Sequence, residues 1–328
     1  MTRLDSRDVD LLMALQYEFP TDTTQPLDWV AGRVGMNLQE ALERARRLNR
    51  EGVLKRVGYY YNYRARGKVA ALVAYAVGSR YRELARIVNR DPMVTHNFLR
   101  NHPYYNVWIV VKRSTREEII SYVEETARKA GAKDWVILFS RRTLKLSVKY
   151  DLHEGISRAG KYTWVNPNPP RPEDLGIPKT LPHSLRALPL EERPYMSAAR
   201  KHNMTEEDVV ALVGEMLEKG ILGDPGAALE GRLAGFTENG MVVMEPTGCS
   251  DEDELELCSC AAKFPYSTHV VWREAYPRDR WRHICYFMVH ATTRERIEQA
   301  RLQAQEVCRP KDAMVLYSLE DLKPHTVR

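Results

Sequence analysis

The sequence predicts an α+β protein made by tandem duplication, each half having a helix-turn-helix domain followed by a sheet domain of order βαββαβ. Three observations support this prediction. Each half begins with short, well-punctuated helical patterns, strand and helix patterns alternate after them, and a Thr-His-x-x-x-Arg motif occurs once in each half. The motif stands at residues 95–100 and again at 268–273. A spacing of about 170 residues is too long for a solenoid, so the repeat indicates two domain-sized copies.

The helical patterns at the start of the first half have clear boundaries. Apolar residues at helical spacing predict helices over 4–18 and 27–34. Asn37 is a favourable N-cap with Glu40 at the capping-box position, and the helix that follows should end at Gly52. Three short helices of this kind are typical of a helix-turn-helix domain. Residues 195–202 and 206–219 repeat the second and third helices in the other half.

The alternation that follows predicts a ferredoxin-like sheet domain. Strand patterns lie at 69–77, 93–100, 105–112 and 135–140, with a further strand at 144–149. Helical patterns lie at 79–89 and 114–130, the second with Ser114 as the expected cap. The second half repeats this order with strands at 240–245, 267–273, 283–290 and 313–319 and helices at 251–262 and 293–307.

Prolines concentrate between the halves and predict an extended linker there. The predicted domains are therefore a helix-turn-helix domain at 1–63, a ferredoxin-like domain at 64–150, a linker at 151–184, a second helix-turn-helix domain at 185–235 and a second ferredoxin-like domain at 236–328. We expect the two halves to pack as a pseudo-dimer, and a homodimer stays open.

The composition is that of an ordinary globular protein, with 44% hydrophobic and 28% charged residues and a net charge of +5. No apolar run approaches the ~18 residues of a membrane span, and the start of the chain has no apolar signal core. We therefore expect a cytoplasmic protein without membrane partners. All five cysteines lie in the second half, and Cys258-x-Cys260 is not a usual zinc spacing, so we expect free or buried thiols and no metal site.

The repeated motif places its charged residues on one face of a strand. Because side chains alternate, His96, Phe98 and Arg100 share a face, as do His269 and Arg273. Histidine and arginine four residues apart lie about 13 Å apart along a strand. This span suits a large planar ligand with charged edges.

The third helix of each helix-turn-helix domain is the one that would enter the major groove of DNA. The charges on these two helices argue against sequence-specific DNA binding. The first carries four arginines, which suit phosphate contacts. The second begins with Glu206, Glu207 and Asp208, at the end where DNA contacts are made, so DNA would repel it.

Helix-turn-helix and ferredoxin-like domains in this order resemble the Lrp/AsnC regulators. Within that superfamily the two His–Arg strands, the segment Tyr105-Asn-Val-Trp108 and the glycine-punctuated stretches 58–67 and 226–235 resemble the siroheme decarboxylases, in a form that fuses two related subunits. The second half departs from the pattern. Glu230 replaces Asn62, Val270 replaces Asn97, and residues 282–286 replace the Tyr-Asn-Val-Trp segment.

The resemblance implies a carboxy-lyase of heme or heme d1 biosynthesis, which removes two acetate carboxyl groups from siroheme to give 12,18-didecarboxysiroheme. It implies no separate cofactor, since the iron tetrapyrrole is the substrate. His96 and His269 are the candidate general acids, although either could instead ligate the iron or hydrogen-bond a carboxylate. The candidate substrate-binding residues are Arg100, Arg273, Arg64, Arg66, Arg232, Tyr59 and Tyr105.

Each assignment has an alternative. The strand histidines could be structural, Arg100 and Arg273 could pair with helix carboxylates, and Tyr59 could pack between domains. At the level of function, the alternatives are a ligand-responsive DNA-binding regulator of the Lrp/AsnC type and a heme-binding protein without turnover.

Overall fold

The computed structural model describes residues 4–323 and divides them into two compact units that cut across the two halves. Unit 1 comprises the chain up to Arg66 with residues 145–237 and 290–293. Unit 2 comprises residues 67–144 and 238–289 and the chain from Arg294 onward. Both helix-turn-helix domains therefore belong to unit 1 and both sheet domains to unit 2. None of the described helices is long and apolar enough to cross a membrane.

Ten helices and twelve strands occur among the described residues. The helices are α1 (Ser6–Tyr17), α2 (Pro26–Arg33), α3 (Leu38–Arg50), α4 (Tyr81–Val88), α5 (Arg116–Ala130), α6 (Leu181–Ser184), α7 (Met196–His202), α8 (Glu206–Glu218), α9 (Asp251–Ala262) and α10 (Arg294–Cys308). The strands are β1 (Leu54–Tyr61), β2 (Val69–Ala76), β3 (Val94–Arg100), β4 (Val107–Arg113), β5 (Asp134–Leu146), β6 (Lys149–Asp151), β7 (Ile156–Arg158), β8 (Leu222–Leu229), β9 (Glu238–Glu245), β10 (His269–Tyr276), β11 (Cys285–Ala291) and β12 (Asp312–Asp321).

In unit 1 the two helical domains are joined by β1 and β8, which pair antiparallel. Gly58 lies opposite Gly226 in this ladder, so the glycines that punctuate the two halves meet directly. Gly226 has a φ of +105°, and a Cβ there would lie 2.3 Å from the main-chain oxygen of Leu15. At Gly58 a Cβ would lie 2.6 Å from the main-chain oxygens of Leu185 and Arg186. Glycine is therefore required where another segment crosses each strand.

The segment predicted as a linker is part of unit 1 and not a connector outside it. Strands β6 and β7 form a hairpin, and Ile156 pairs with Ala291. Ile177 and Leu181 are buried in the same core as the helices of both halves. Prolines break this segment into short pieces, but apolar residues between them provide enough surface to hold it against the core.

In unit 2 each half forms a four-stranded antiparallel sheet, in the order β5-β2-β4-β3 for the first and β12-β9-β11-β10 for the second. Both orders are ferredoxin-like, which confirms the predicted fold class. Helices α4 and α5 cover the outer face of the first sheet, where Leu84 and Val123 pack against Val73 and Ile109. Helices α9 and α10 pack on the second sheet.

Two local predictions in this unit are wrong. Thr115 caps α5, since its backbone is extended and its hydroxyl accepts from the N–H of Glu118, one residue after the expected Ser114. The strands expected at 135–140 and 144–149 are one strand up to Leu146. Polar residues separate the two predicted strands, but Arg141 among them bonds to Asp251 at 2.7 Å and lies over the ring of Trp272, so the strand continues.

The edges of the two sheets pair with each other. Strand β3 pairs antiparallel with β12, β5 lies beside β10, and β10 also pairs with β11, which closes an eight-stranded ring. The face enclosed by this ring is apolar and aromatic. Its buried residues are Leu72, Ala74, Ala76, Tyr105, Trp108, Val136, Leu138, Met241, Val243, Ala275, Trp281, Tyr286 and Leu316.

The expectation that all cysteines are thiols is wrong for one pair. Cys260 and Cys308 form a disulfide, with Cα atoms 5.7 Å apart, that joins the ends of α9 and α10. The spacing of the two cysteines does not predict this bond, because they meet only when both helices pack on the same sheet. Cys249, Cys258 and Cys285 are free thiols.

We expect Gly226→Ala to destabilise the protein by about 2 kcal/mol or more, because it combines a strained φ with a backbone clash. The matched control is Gly214→Ala, in the interior of α8, where a Cβ meets nothing within 4 Å. That change should be neutral or slightly stabilising. Urea unfolding followed by circular dichroism measures both. Equal stability of the two variants would contradict the account of the β1–β8 ladder.

Candidate active site

The two His–Arg strands direct their motif residues to the enclosed face of unit 2. In the β3–β4 ladder His96 lies opposite Val110 and Phe98 lies opposite Trp108, a residue of the enclosed core. In the β10–β11 ladder Val271 lies opposite Tyr286, which is also in that core. Side chains of directly opposed residues share a face, so both His–Arg faces are turned to the interior of the ring.

Arg100 and Arg273 occupy equivalent, buried positions on this face, with exposures of 5% and 9%. Arg100 donates to the main-chain oxygen of Leu316 at 2.5 Å, and Arg273 donates to that of Leu138 at 3.2 Å. Each guanidinium also lies near an aromatic ring. Arg100 is 5.2 Å from the centroid of Phe98 and Arg273 is 5.0 Å from that of Tyr286. These contacts fix the direction of two cations among aromatic residues.

His96 and His269 are half-buried, unlike the arginines of their motif. The Nδ1 atom of His96 lies 3.0 Å from the hydroxyl oxygen of Thr95, and its ring centroid is 6.3 Å from that of Phe98. A threonine precedes His269 too, but its hydroxyl donates to the main-chain oxygen of Met288 at 3.2 Å. The hydroxyls of the two threonines therefore have different partners although the motif is the same.

A second pair of matching contacts lies at the turns between the motif strands and their neighbours. The hydroxyl of Tyr105 donates to Asp134 at 2.8 Å, and Nε2 of His283 lies 2.7 Å from a carboxylate oxygen of Asp312. Asp134 and Asp312 each begin the last strand of a sheet. Burial, and then the bond to Asp134, raise the pKa of Tyr105, so this phenol stays protonated near neutral pH. At this position the first half therefore has a phenol that donates a hydrogen bond, whereas the second half has an imidazole.

Aromatic rings link these two contacts. The ring of Trp281 lies 5.3 Å from that of His102, 5.4 Å from that of His283 and 5.4 Å from that of Trp108, measured between centroids. Nδ1 of His102 accepts from the main-chain N–H groups of Tyr104 and Tyr105, which places its ring proton on Nε2 when the ring is neutral. Burial lowers the pKa of His102, and the nearby His283 lowers it further.

The other predicted binding residues lie in unit 1. Arg64 and Arg66 are half-buried on the short 3-10 turn Tyr63–Arg66, over the rings of Tyr63 and Tyr61 at 5.6 and 5.7 Å. Asn62 holds this turn, since its side chain accepts from the N–H of Arg64. Arg232 is exposed on the equivalent turn of the second half.

Tyr59 is a core residue, which corrects its assignment as a binding residue. It is fully buried in unit 1, and its hydroxyl lies 2.7 Å from that of Tyr195. Its ring has no surface on which a macrocycle could stack. The packing alternative left open by the sequence is the one that the structure supports.

Sequence reasoning missed Trp281, Asp134 and Asp312. The signal that could have found the aspartates is positional, because each stands at the start of the fourth strand of its half. Trp281 had no signal, since two of the rings it contacts, those of His102 and Trp108, are distant in sequence. No group of three or more histidine, cysteine, aspartate or glutamate side chains within 4–323 is arranged to hold a metal ion.

Comparisons with known proteins agree with this architecture. The model of the AsnC-like ligand-binding domain matches residues 66–145 and 233–323, and the model of the siroheme decarboxylase NirDL-like HTH domain matches residues 186–222. A siroheme decarboxylase of Hydrogenobacter thermophilus is 27% identical over 94% of this chain and 89% of its own length. The NirG subunit of siroheme decarboxylase from Paracoccus pantotrophus is 32% identical over 40% of this chain and 83% of its own.

A solved structure shares the fold over nearly the whole chain. The crystal structure of the siroheme decarboxylase NirDL has a TM-score of 0.64 and 22% identity, covering 97% of this chain and 92% of that one. A second crystal structure of NirDL, with a TM-score of 0.63, is a co-complex with an iron-uroporphyrin III analogue.

The fold and the two matched regions define a protein with paired AsnC-like ligand-binding domains. More narrowly, the chain belongs to the siroheme decarboxylase family. Membership of this family makes it a carboxy-lyase.

We expect the stability of unit 2 to fall as the pH falls from about 7 to about 5, with His102 as one cause. The pKa of this ring is lowered from 6.5 in the folded protein, so the unfolded chain binds a proton that the folded chain excludes. His102→Asn keeps an acceptor for the two N–H groups and does not titrate. It should lose less stability over this range than the wild type, as judged by urea midpoints at each pH. His153→Asn, on an exposed residue of unit 1, should behave as wild type. Identical pH profiles for His102→Asn and wild type would contradict the assignment.

Proposed function

We propose that this protein is a siroheme decarboxylase that removes two acetate carboxyl groups from siroheme without an oxidant, giving 12,18-didecarboxysiroheme. The observation that supports this most directly is the position of both His–Arg strands on one enclosed aromatic face. The named relatives and the complex of NirDL with an iron-uroporphyrin III analogue agree with it.

The chemistry needs a proton donor and an electron sink. When the carbon–carbon bond to an acetate carboxyl breaks, CO2 leaves and the electron pair stays on the methylene carbon, where the macrocycle delocalises it. A proton must then reach that carbon to form a methyl group. We assign this step to His96 and His269, because an imidazolium can donate near neutral pH. Either ring could instead contact the iron of the substrate.

Arg100 and Arg273 are proposed to bind carboxylates that do not react. Their guanidinium groups present planar donors that suit carboxylate oxygens, and main-chain carbonyls and rings fix their direction. Binding energy from these remote groups can then be used to place a reacting acetate against apolar residues, where its charge is less well solvated. Arg64, Arg66 and Arg232 are further candidates for the same role, and the ring of Tyr105 is proposed to line the pocket while its hydroxyl holds Asp134.

The two halves are proposed to act as a pseudo-dimer with unequal sites. The contact of Tyr105 with Asp134 and that of His283 with Asp312 match in position and differ in chemistry. Asn62 and Glu230 differ in the same way. Asn62 bonds to main-chain oxygens of Asn166 and Gly220, whereas Glu230 pairs with Lys55. This asymmetry supports a division of the two decarboxylations between the halves.

DNA is not among the proposed partners. In α3, Arg44 pairs with Asp5, Asp8 and Glu40, Arg47 pairs with Asp8, and Arg46 donates to the main-chain oxygen of Leu190. Arginines held in this way would have to break ion pairs before they could bind phosphate. The absence of a separate cofactor and a cytoplasmic location stay predictions.

We expect His96→Ala and His269→Ala each to lower the rate of CO2 release from siroheme about a hundredfold or more, because each removes a proton donor. Both residues are half-buried at strand positions, so circular dichroism should show an intact fold. His153→Ala, which changes an exposed turn residue in unit 1, is the matched control. Anaerobic assays that follow CO2 decide the outcome. Wild-type rates in both variants would refute the catalytic assignment.

A further inference from the structure

Five basic side chains lie where residues 181–188 cross β1 in unit 1. They are Arg56, Arg66, His183, Arg186 and Lys201, and we call them the basic cluster. The ring of His183 meets that of Tyr61 edge-on at 5.0 Å between centroids, and the guanidinium of Arg66 lies 5.7 Å from the same ring. Arg56 donates to the main-chain oxygen of Arg186 at 2.8 Å.

The backbone holds this cluster in place. The N–H of Tyr59 donates to the oxygen of Leu185, and the N–H of Leu188 donates to the oxygen of Val57. Gly58 permits the approach, since any Cβ would meet the carbonyl groups of residues 185 and 186. The segment that brings His183 and Arg186 to β1 is therefore fixed against the strand that carries Arg56.

The cationic groups of the cluster have few compensating carboxylates. Among the residues at 4–323, no carboxylate lies within ion-pair distance of Arg56, Arg66 or Arg186. The acidic groups that act on Arg56 and on Tyr61 are engaged elsewhere. Asp224 is bound by Lys149 at 3.1 Å, and Glu173 is paired with Lys179 at 3.7 Å.

Repulsion between these positive charges lowers the pKa values of members of the basic cluster. Burial lowers the pKa of Arg186, and the charge of Arg66 lowers it further. Burial likewise lowers the pKa of His183, followed by the charges of Arg66, Arg186 and Lys201. Like charges held together in this way destabilise a fold unless an anion neutralises them.

The fold itself does not require this charge. On the other side of the β1–β8 ladder the segment that crosses Gly226 is the end of α1, with Leu15 and Gln16 in contact. The last turn of α1 contains no basic residue. Because a segment crosses Gly226 without any cation, the fold does not need cations at the equivalent crossing of Gly58. The basic cluster therefore points to a ligand of opposite charge.

We propose that the basic cluster is a binding site for several carboxylates of one ligand, which for this protein are those of the tetrapyrrole. The inference rests on the proposed function and extends it to His183, Arg186, Arg56 and Lys201. A carboxylate-rich ligand fits better than DNA, because the cations come from a strand, a turn and two separate helices and do not form a stripe along one helix face. Planar guanidinium groups also suit carboxylate oxygens.

The test is the affinity of the full-length protein for siroheme and for iron-free uroporphyrin, measured anaerobically by absorbance titration. We expect Arg186→Gln to weaken binding of both about tenfold or more, and Arg66→Gln/Arg186→Gln to weaken it further. KM for siroheme should rise with the dissociation constant. Arg200→Gln, an exposed arginine on α7 of the same unit, should bind as wild type.

Two further measurements keep the outcome clear. Uroporphyrin should raise the thermal midpoint of the wild type more than that of Arg186→Gln, which separates a lost contact from a lost fold. Unchanged affinity of both variants for siroheme would overturn the proposal, as would loss of affinity for a DNA duplex only. The proposed function fails by a different result, namely wild-type protein that binds siroheme and releases no CO2.

Discussion

The structure depends on how the open edges of its sheets are satisfied. A four-stranded ferredoxin-like sheet has two edge strands, each with a row of unpaired N–H and C=O groups. In unit 2, β3 pairs with β12 and β5 lies beside β10, so each half supplies the partners that the other lacks. In unit 1, β1 of the first half likewise pairs with β8 of the second half. Fusion of both copies in one chain makes these pairings intramolecular, and the enclosed face with the His–Arg strands exists only because the ring closes.

Much of the fold follows from local sequence. Capping residues and apolar periodicity predicted α1, α3 and α9 closely, and the alternation in β3 and β10 predicted which residues share a face. What the sequence could not predict depends on contacts between distant segments. The polar stretch in β5 continues as strand because Arg141 meets Asp251 and Trp272 from the other half. The disulfide between Cys260 and Cys308 appears only when α9 and α10 pack on the same sheet. The role of residues 181–188 as a crossing segment appears only when this segment meets β1.

The candidate site, too, could be predicted only in part from the sequence. The motif residues were found because the same motif occurs in both halves, and each copy lies at the same position in its sheet. The differences between the halves matter more for chemistry, and they lie outside the motif. Tyr105 with Asp134 and His283 with Asp312 occupy matching places, but the first contact contains a phenol and the second an imidazole. Tyr59, which recurrence did not single out, belongs to the core. The two halves therefore have similar backbones, and differences in a few side chains give them different chemical properties.

The central claim is that the paired His–Arg faces remove two carboxyl groups from one macrocycle. Mass analysis of the tetrapyrrole after anaerobic incubation of the purified protein with siroheme tests it most directly. The account predicts a product that has lost two CO2 and retains its iron. Recovery of bound but unchanged siroheme would contradict the claim and would favour a ligand-sensing or heme-binding role for the same fold.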